Sequence, residues 1–246
     1  MHTTSKIVLV TGGNKGIGNH IVNQLARQGA HVYLGARDVR RGRAAADLLG
    51  KQNLDVEFVR LDVTDAASVA TAAEHVEEAN GRLDVLVNNA AITSGLEPAS
   101  AMTTGNLRRT YETNVFGVVT VTNAFLPLLR RSASPRIVNV SSGMGSISLM
   151  ADPDVELTKM NQAAYQSSKA ALNALTVLYA NELRDEGVKV NAVCPGYRAT
   201  ELNGGLPTPG AGDPADGAKV AVRMAMIGDD GPTAQFLGDT GAIYPW

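Results

Sequence analysis

A single cysteine, Cys194, stands in 246 residues, so neither an intramolecular disulfide nor a cysteine-cluster metal site can form. That usage fits a reducing compartment. An excess of one charge is also lacking. Lys plus Arg number 22 against 24 Asp plus Glu, for a net charge of −2, which excludes a protein that grips phosphate backbones through bulk positive charge. No apolar run is long enough to cross a bilayer, and the N-terminal run Ile7-Val8-Leu9-Val10 is shorter than a signal-peptide core. The expectation is a cytoplasmic protein with neither nucleic acid nor membrane as partner. His2, His20, His31 and His75 are scattered and show no ligand spacing, so all four read as structural or exposed and no metal is expected. What remains is 44% apolar and 19% charged residues, the balance of a globular chain able to bury a sizeable core. At this length an α/β fold is commonly one domain, read here as residues 1–246.

Short aliphatic runs recur at Lys6–Val10, Val32–Leu34, Val56–Arg60, Val85–Val87, Arg136–Val140 and Val188–Val193, with helical patterns between them. Ile17, Ile21 and Leu25 form one apolar stripe ended by Gly29, while Leu107–Leu129 and Ala163–Leu183 have the length of major helices. This alternation implies an α/β fold whose sheet is mostly or entirely parallel and covered on both faces. From Pro195 to Gly217 four prolines and six glycines oppose regular structure. That segment is expected to loop over the surface, and residues 197–217 are a candidate lid.

Thr11-Gly12-Gly13-Asn14-Lys15-Gly16-Ile17-Gly18 follows the first strand and opens the first helix. Glycines there permit a tight turn and close approach of backbone to a pyrophosphate, whose charge meets the free N–H groups of the helix. The spacing Gly-x-x-x-Gly-x-Gly departs from the generic Gly-x-Gly-x-x-Gly fingerprint and points to a different dinucleotide-binding family. At the end of the second strand Ala36 stands where an NAD-selective protein places a carboxylate. Arg37 follows it, and with Lys15 it can converge on a 2′-phosphate, so NADP(H) is expected over NAD(H), although Asp38 stands next door. Asp62, followed by Val63, can accept from an adenine amino group, and Asn88-Asn89-Ala90-Ala91 closes the fourth strand, both at carboxyl ends of strands where open parallel sheets bind ligands.

Tyr165 and Lys169 are four apart and share a helix face. Alone the pair is weak evidence, but Ser141-Ser142 and Asn114 accompany it. With these motifs the chain resembles the short-chain dehydrogenase/reductase family along nearly its whole length. The matching residues are Thr11-Gly12-x-x-x-Gly16-x-Gly18, Asn88-Asn89-Ala90, Asn114, Val138-Asn139-Val140-Ser141-Ser142, Tyr165-x-x-x-Lys169 and Pro195-Gly196. Within the family it is most similar to NADP-dependent carbonyl reductases, through Gly12 to Gly16, Ala36 to Val39 and Ser141 to Gly145.

The resemblance implies a single-domain, Rossmann-type three-layer αβα fold and a catalytic tetrad. Ser142, three residues before Gly145, would hydrogen-bond a substrate carbonyl. Tyr165 would supply the proton as hydride arrives at carbon, with its pKa drawn down by Lys169, which would also hold the nicotinamide ribose. Asn114 would anchor a proton-relaying water. Pro195, Gly196 and Thr200 would lie beside the nicotinamide, and Asn14, Ile17, Asn89 and Ala90 would complete the cofactor contacts. The implied reaction is NADPH-dependent reduction of a small-molecule aldehyde or ketone. Alternatives are an alcohol dehydrogenase or 3-oxoacyl-thioester reductase of the same chemistry, and a regulator that binds NADP without turnover.

Three departures from the family pattern stand out. Ala91 replaces the usual glycine, which puts the local backbone in question, and Arg198 replaces an aliphatic residue and reads as facing water in preference to contacting the cofactor or an acidic substrate group. The stretch between Ser142 and Tyr165 is longer than is common in the family and shorter than in animal carbonyl reductases. The extra segment, roughly 151–161, carries Asp152, Asp154 and Glu156 and should border the substrate entrance. Its intermediate length leaves a homodimer open, with a monomer expected. Cys194 has no activating base in its local sequence and reads as a small buried apolar residue.

Overall fold

The computed structural model describes residues 5–203 and 209–246. His2 and the middle of the expected lid, residues 204–208, lie outside them. Seven parallel strands form one sheet: β1 (Ile7–Thr11), β2 (His31–Ala36), β3 (Val56–Arg60), β4 (Val85–Asn88), β5 (Arg136–Val140), β6 (Lys189–Val193) and β7 (Phe236–Leu237). The order is β3-β2-β1-β4-β5-β6-β7. The chain therefore leaves β3 and crosses back over β1 to β4, which opens a crevice at the carboxyl ends of β1 and β4.

The helices are α1 (Gly16–Arg27), α2 (Val39–Gly50), α3 (Ala66–Asn80), α4 (Thr104–Tyr111), α5 (Gly117–Leu129), α6 (Ile147–Ala151), α7 (Ala163–Glu182) and α8 (Pro214–Ala225). Alternate strand residues face opposite ways. Val8, Val10, Val32 and Leu34 pack with Ile21, Leu25 and Val220 of α1 and α8, while Leu9, Tyr33 and Leu86 pack with Val69, Val76, Val121, Phe125 and Ala180 of α3, α5 and α7. Both faces are thus covered, giving the three-layer Rossmann-type αβα arrangement.

Two expectations about regular structure change. The helix read over Leu107–Leu129 is interrupted by a π-helical turn, Glu112–Phe116, between α4 and α5. The segment Pro195–Gly217 is not irregular throughout, because α8 starts at Pro214, with Asp213 capping it by accepting from Ala215 N at 2.8 Å. Proline at the first helical position costs no hydrogen bond, so it opens this helix instead of breaking it. Within the extra segment, Glu156–Lys159 form a 3-10 turn closed by a 2.5 Å ion pair between its end residues. Among the described residues no helix is long and apolar enough to cross a membrane.

Candidate active site

The turn from β1 into α1 is closed by contacts that leave no room for side chains. Gly12 has φ +65°, and a Cβ on Gly18 would collide with the Gly12 carbonyl oxygen and Asn89 Nδ2. Asn89 braces the turn, its Nδ2 donating to the Thr11 and Gly12 carbonyls at 2.8 and 3.2 Å. Thr11 Oγ1 accepts from the N–H groups of Asn89 and Ala90, each at 3.0 Å. The α2 and α3 N-termini are capped by the side chains of Asp38 and Asp65, whereas α1 has no side-chain cap. Its first-turn N–H groups remain available to an anion.

A cleft of about 220 Å³ runs from this turn across the strand ends. Gly12, Asn14, Lys15, Gly16, Ile17 and Gly18 line one side of it, and Arg37, Asp62, Val63, Asn89, Ala90 and Thr200 line the rest. Ala91 also lines it and has no left-handed backbone, so its methyl introduces no strain. Pro195 and Gly196 are not among the lining residues. Shape, a glycine cradle and an uncapped helix N-terminus together fit a dinucleotide.

Charge at the phosphate end is distributed otherwise than the sequence suggested. Arg37 is exposed, but Lys15 pairs with Glu201 at 2.5 Å. Asp38 is occupied at the α2 N-terminus, accepting from Arg41 N at 3.0 Å, and that bond with the nearby Arg41 and Arg40 charges holds its carboxyl below the usual range. Arg41 is a residue the sequence reading missed. It lines the adjoining groove with Lys15, His20 and Glu201, and its position one helical turn beyond Arg37 was the available signal.

Tyr165 and Lys169 of α7 are not among the residues lining the cleft; they are buried together, with Lys169 Nζ 5.6 Å from the centre of the Tyr165 ring. Lys169 Nζ donates to the Val140 carbonyl at 2.8 Å. Ser142 neighbours Tyr165, and its Oγ accepts from Met144 N at 3.2 Å. Burial pushes the Tyr165 phenol up, assisted by the neighbouring Cys194 and opposed by Ser142. Burial also pulls Lys169 down to about 8. In this state desolvation dominates Tyr165, and the downward pull expected from Lys169 is not among the causes acting on its phenol.

Asn114 lies in the π-helical turn, fully buried. Its Oδ1 accepts from Ile92 N and its Nδ2 donates to Ile92 O, each at 2.9 Å, with a further bond to Ser168 Oγ at 3.0 Å. Both polar atoms of the amide therefore have protein partners. It ties the loop after β4, where Ile92 lines the cleft, to the residue beside Lys169. The widened turn brings this side chain to both neighbours, a recurrent use of π-turns. Thr93 was also missed: its hydroxyl is buried without a partner on the same loop, the kind of group a ligand satisfies.

Arg198 does not face water. Its Nε donates to the Pro195 carbonyl at 2.6 Å and its guanidinium pairs with Asp239. Its side chain passes Gly212 and Gly217, where a Cβ would strike it. Cys194 is buried and accepts from Gly143 N at 3.1 Å, and burial raises its thiol. His31 and His75 are not scattered in space, since both approach Glu57, at 3.9 and 2.6 Å. Among the described residues no group of metal-binding side chains is found.

The sequence model of the short chain dehydrogenase family matches residues 6–209. The short-chain dehydrogenase anuI of Penicillium roqueforti is 36% identical over 92% of this chain and 90% of its own length. Salutaridine reductase of Papaver bracteatum is 35% identical over 95% of this chain and 94% of its own. Among solved structures, the NADPH-bound carbonyl reductase from chicken fatty liver superposes with a TM-score of 0.87 at 29% identity, covering 98% of this chain and 99% of that one. Sheet order, glycine turn and a likeness spanning nearly every residue agree, and the chain belongs to the short-chain dehydrogenase family of nicotinamide-dependent oxidoreductases acting on carbonyl and alcohol groups.

Proposed function

We propose that this protein reduces an apolar aldehyde or ketone to an alcohol with NADPH. The observation that carries this reading is the buried pair Tyr165 and Lys169 beside the part-exposed Ser142, joined to the dinucleotide cleft through Asn114 and Ile92. The glycine turn and the α1 N-terminus hold the pyrophosphate, Asp62 and Val63 border the adenine, and Arg37, Arg41 and Lys15 favour a 2′-phosphate. Lys169 would take the nicotinamide ribose and Thr200, which lines the cleft, the carboxamide, with Pro195 and Gly196 as the backbone leading to Thr200. When bound, the cofactor supplies a hydride to the carbonyl carbon.

The residues of this chain do the rest. Ser142 donates to the carbonyl oxygen and holds it where negative charge develops. Tyr165, kept protonated by its raised pKa, gives that oxygen its proton. The Lys169 ammonium stabilises the phenolate left behind. Thr200 lies against Gly16 of the glycine turn, so the segment after Gly196 acts as a lid over the phosphate end. Leu96, Ile147 and Tyr197 are exposed apolar side chains; they lie on the segments that would shape the substrate entrance by the family resemblance, which favours an apolar substrate. Likeness to a salutaridine reductase and an NADPH-bound carbonyl reductase supports the same choice.

The test is NADPH and NADH oxidation by the purified protein with aldehydes, cyclic ketones, quinones and 3-oxoacyl thioesters. Turnover with an apolar carbonyl compound and NADPH is expected. Tyr165→Phe should lose about 10²–10⁴-fold in kcat while still binding NADPH. Wild-type turnover in that folded variant would refute the mechanism.

A further inference from the structure

The pair Ser141-Ser142 leaves one serine without a role, and the structure supplies it. Ser142 lies at the start of a tight turn on α7: Gly145 N donates to Ser142 O at 2.8 Å, and a Cβ on Gly145 would fall 2.6 Å from the Lys169 carbonyl carbon. One turn beyond Lys169 on the same helix is Asn173, only 3% exposed. Its Oδ1 accepts from Ser141 Oγ at 2.6 Å, and its Nδ2 donates to the Gly145 carbonyl at 3.0 Å. A single buried amide thus grips the chain on both sides of Ser142.

We infer that Asn173, with Ser141, is a positioning residue that sets where the Ser142 hydroxyl stands relative to Tyr165. The inference rests on the reading of Ser142 as the donor to the substrate carbonyl. Tyr165, Lys169 and Asn173 recur at four-residue spacing on one helix face, so α7 fixes the proton donor, the ammonium and the carbonyl-binding turn as one rigid unit. Ser141 contributes a hydroxyl that never meets substrate. Without Asn173 that hydroxyl and the Gly145 carbonyl would be buried unpaired, and the turn would shift to satisfy them. A displacement of about 1 Å in a group that must meet a developing oxyanion costs on the order of 100-fold in rate.

The experiment is a double-mutant cycle on the intact enzyme. Asn173→Ala is expected to lower kcat about 10- to 100-fold, with KM and the NADPH Kd within about twofold, because it acts on the reacting geometry and leaves binding alone. In a Ser142→Ala background the same substitution is expected to cost less than about twofold, since the group it positions is gone. Ser141→Ala, which removes only a hydroxyl, should show the same pattern in weaker form, whereas Ser141→Thr keeps the bond and should retain activity. If Asn173→Ala does not fold, the Ser141 pair of variants carries the cycle. Equal losses in both backgrounds, or no loss in a folded protein, would overturn the inference while Ser142→Ala alone remained impaired. Full activity of Ser142→Ala would instead overturn the reading beneath it, and the inference with it.

Discussion

The phosphate end of the cleft and the buried pair of Tyr165 and Lys169 hold their charges in opposite ways. At the phosphate end Lys15 and Glu201 are paired yet half exposed, and Arg37 and Arg41 stand in solvent. Tyr165 and Lys169 are removed from water and burial has moved both away from their ordinary values. Exposed pairs are worth about 0–1 kcal/mol and rearrange freely, so the phosphate end can trade Glu201 for an incoming phosphate. Buried groups cannot rearrange without leaving a partner unpaired. On the proposed function, selection of the cofactor would rest on many small, replaceable terms, and chemistry on a few large ones.

The largest break in this contrast should come from Lys169→Met, which leaves Tyr165 buried without the ammonium and is expected to lower kcat about 10²- to 10⁴-fold, as read by steady-state reduction kinetics. The pH profile sharpens the same point. Lys169, lowered to about 8, is charged below that value and neutral above it, so kcat for reduction should fall as pH rises through about 8. Lys169→Arg, charged at all accessible pH, should remove that descending limb whatever its absolute rate. Folding carries the opposite sign. Between about 8 and the ordinary lysine value of 10.5 the unfolded chain binds the extra proton, so the Lys169 contribution to stability should rise with pH across that window and vanish in Lys169→Met, measured by thermal unfolding.

Effects at the phosphate end should be smaller. Arg37→Asp is expected to shift the NADPH-to-NADH ratio of kcat/KM by about 10- to 100-fold towards NADH, by losing a charge-assisted bond and adding repulsion. An unchanged ratio would remove Arg37 from cofactor selection and leave Arg41 as its agent. Glu201→Gln frees Lys15 and should lower the NADPH KM only about two- to threefold, with kcat unchanged. A tenfold change there would erase the contrast between the two regions.

Elements set by local pattern were legible beforehand. The alternation of β1 to β6 with helices follows from side-chain periodicity, and the glycine turn from backbone space that any side chain would fill. The tetrad was implied by the family resemblance; spacing alone gave only that Tyr165 and Lys169 share a helix face and that Ser142 follows a strand. Elements settled by distant partners were not legible. Arg198 reads as a solvated charge until Asp239, far along the chain, folds against it. His31 and His75 belong to different elements and meet at Glu57 and at the Tyr33 ring. Strand β7 is two residues long, too short to show a period.

By itself the amino-acid sequence determined the layer architecture and the nucleotide turn, and named the side chains proposed to react, because each depends on residues close together or on a repeat the chain carries locally. Tertiary structure alone decided how those side chains are charged and aimed. Burial of Tyr165 and Lys169, the pairing of Lys15 with Glu201 and the grip of Asn173 about Ser142 all join segments far apart in the chain. Desolvation and hydrogen-bond geometry are properties of such meetings, not of either segment.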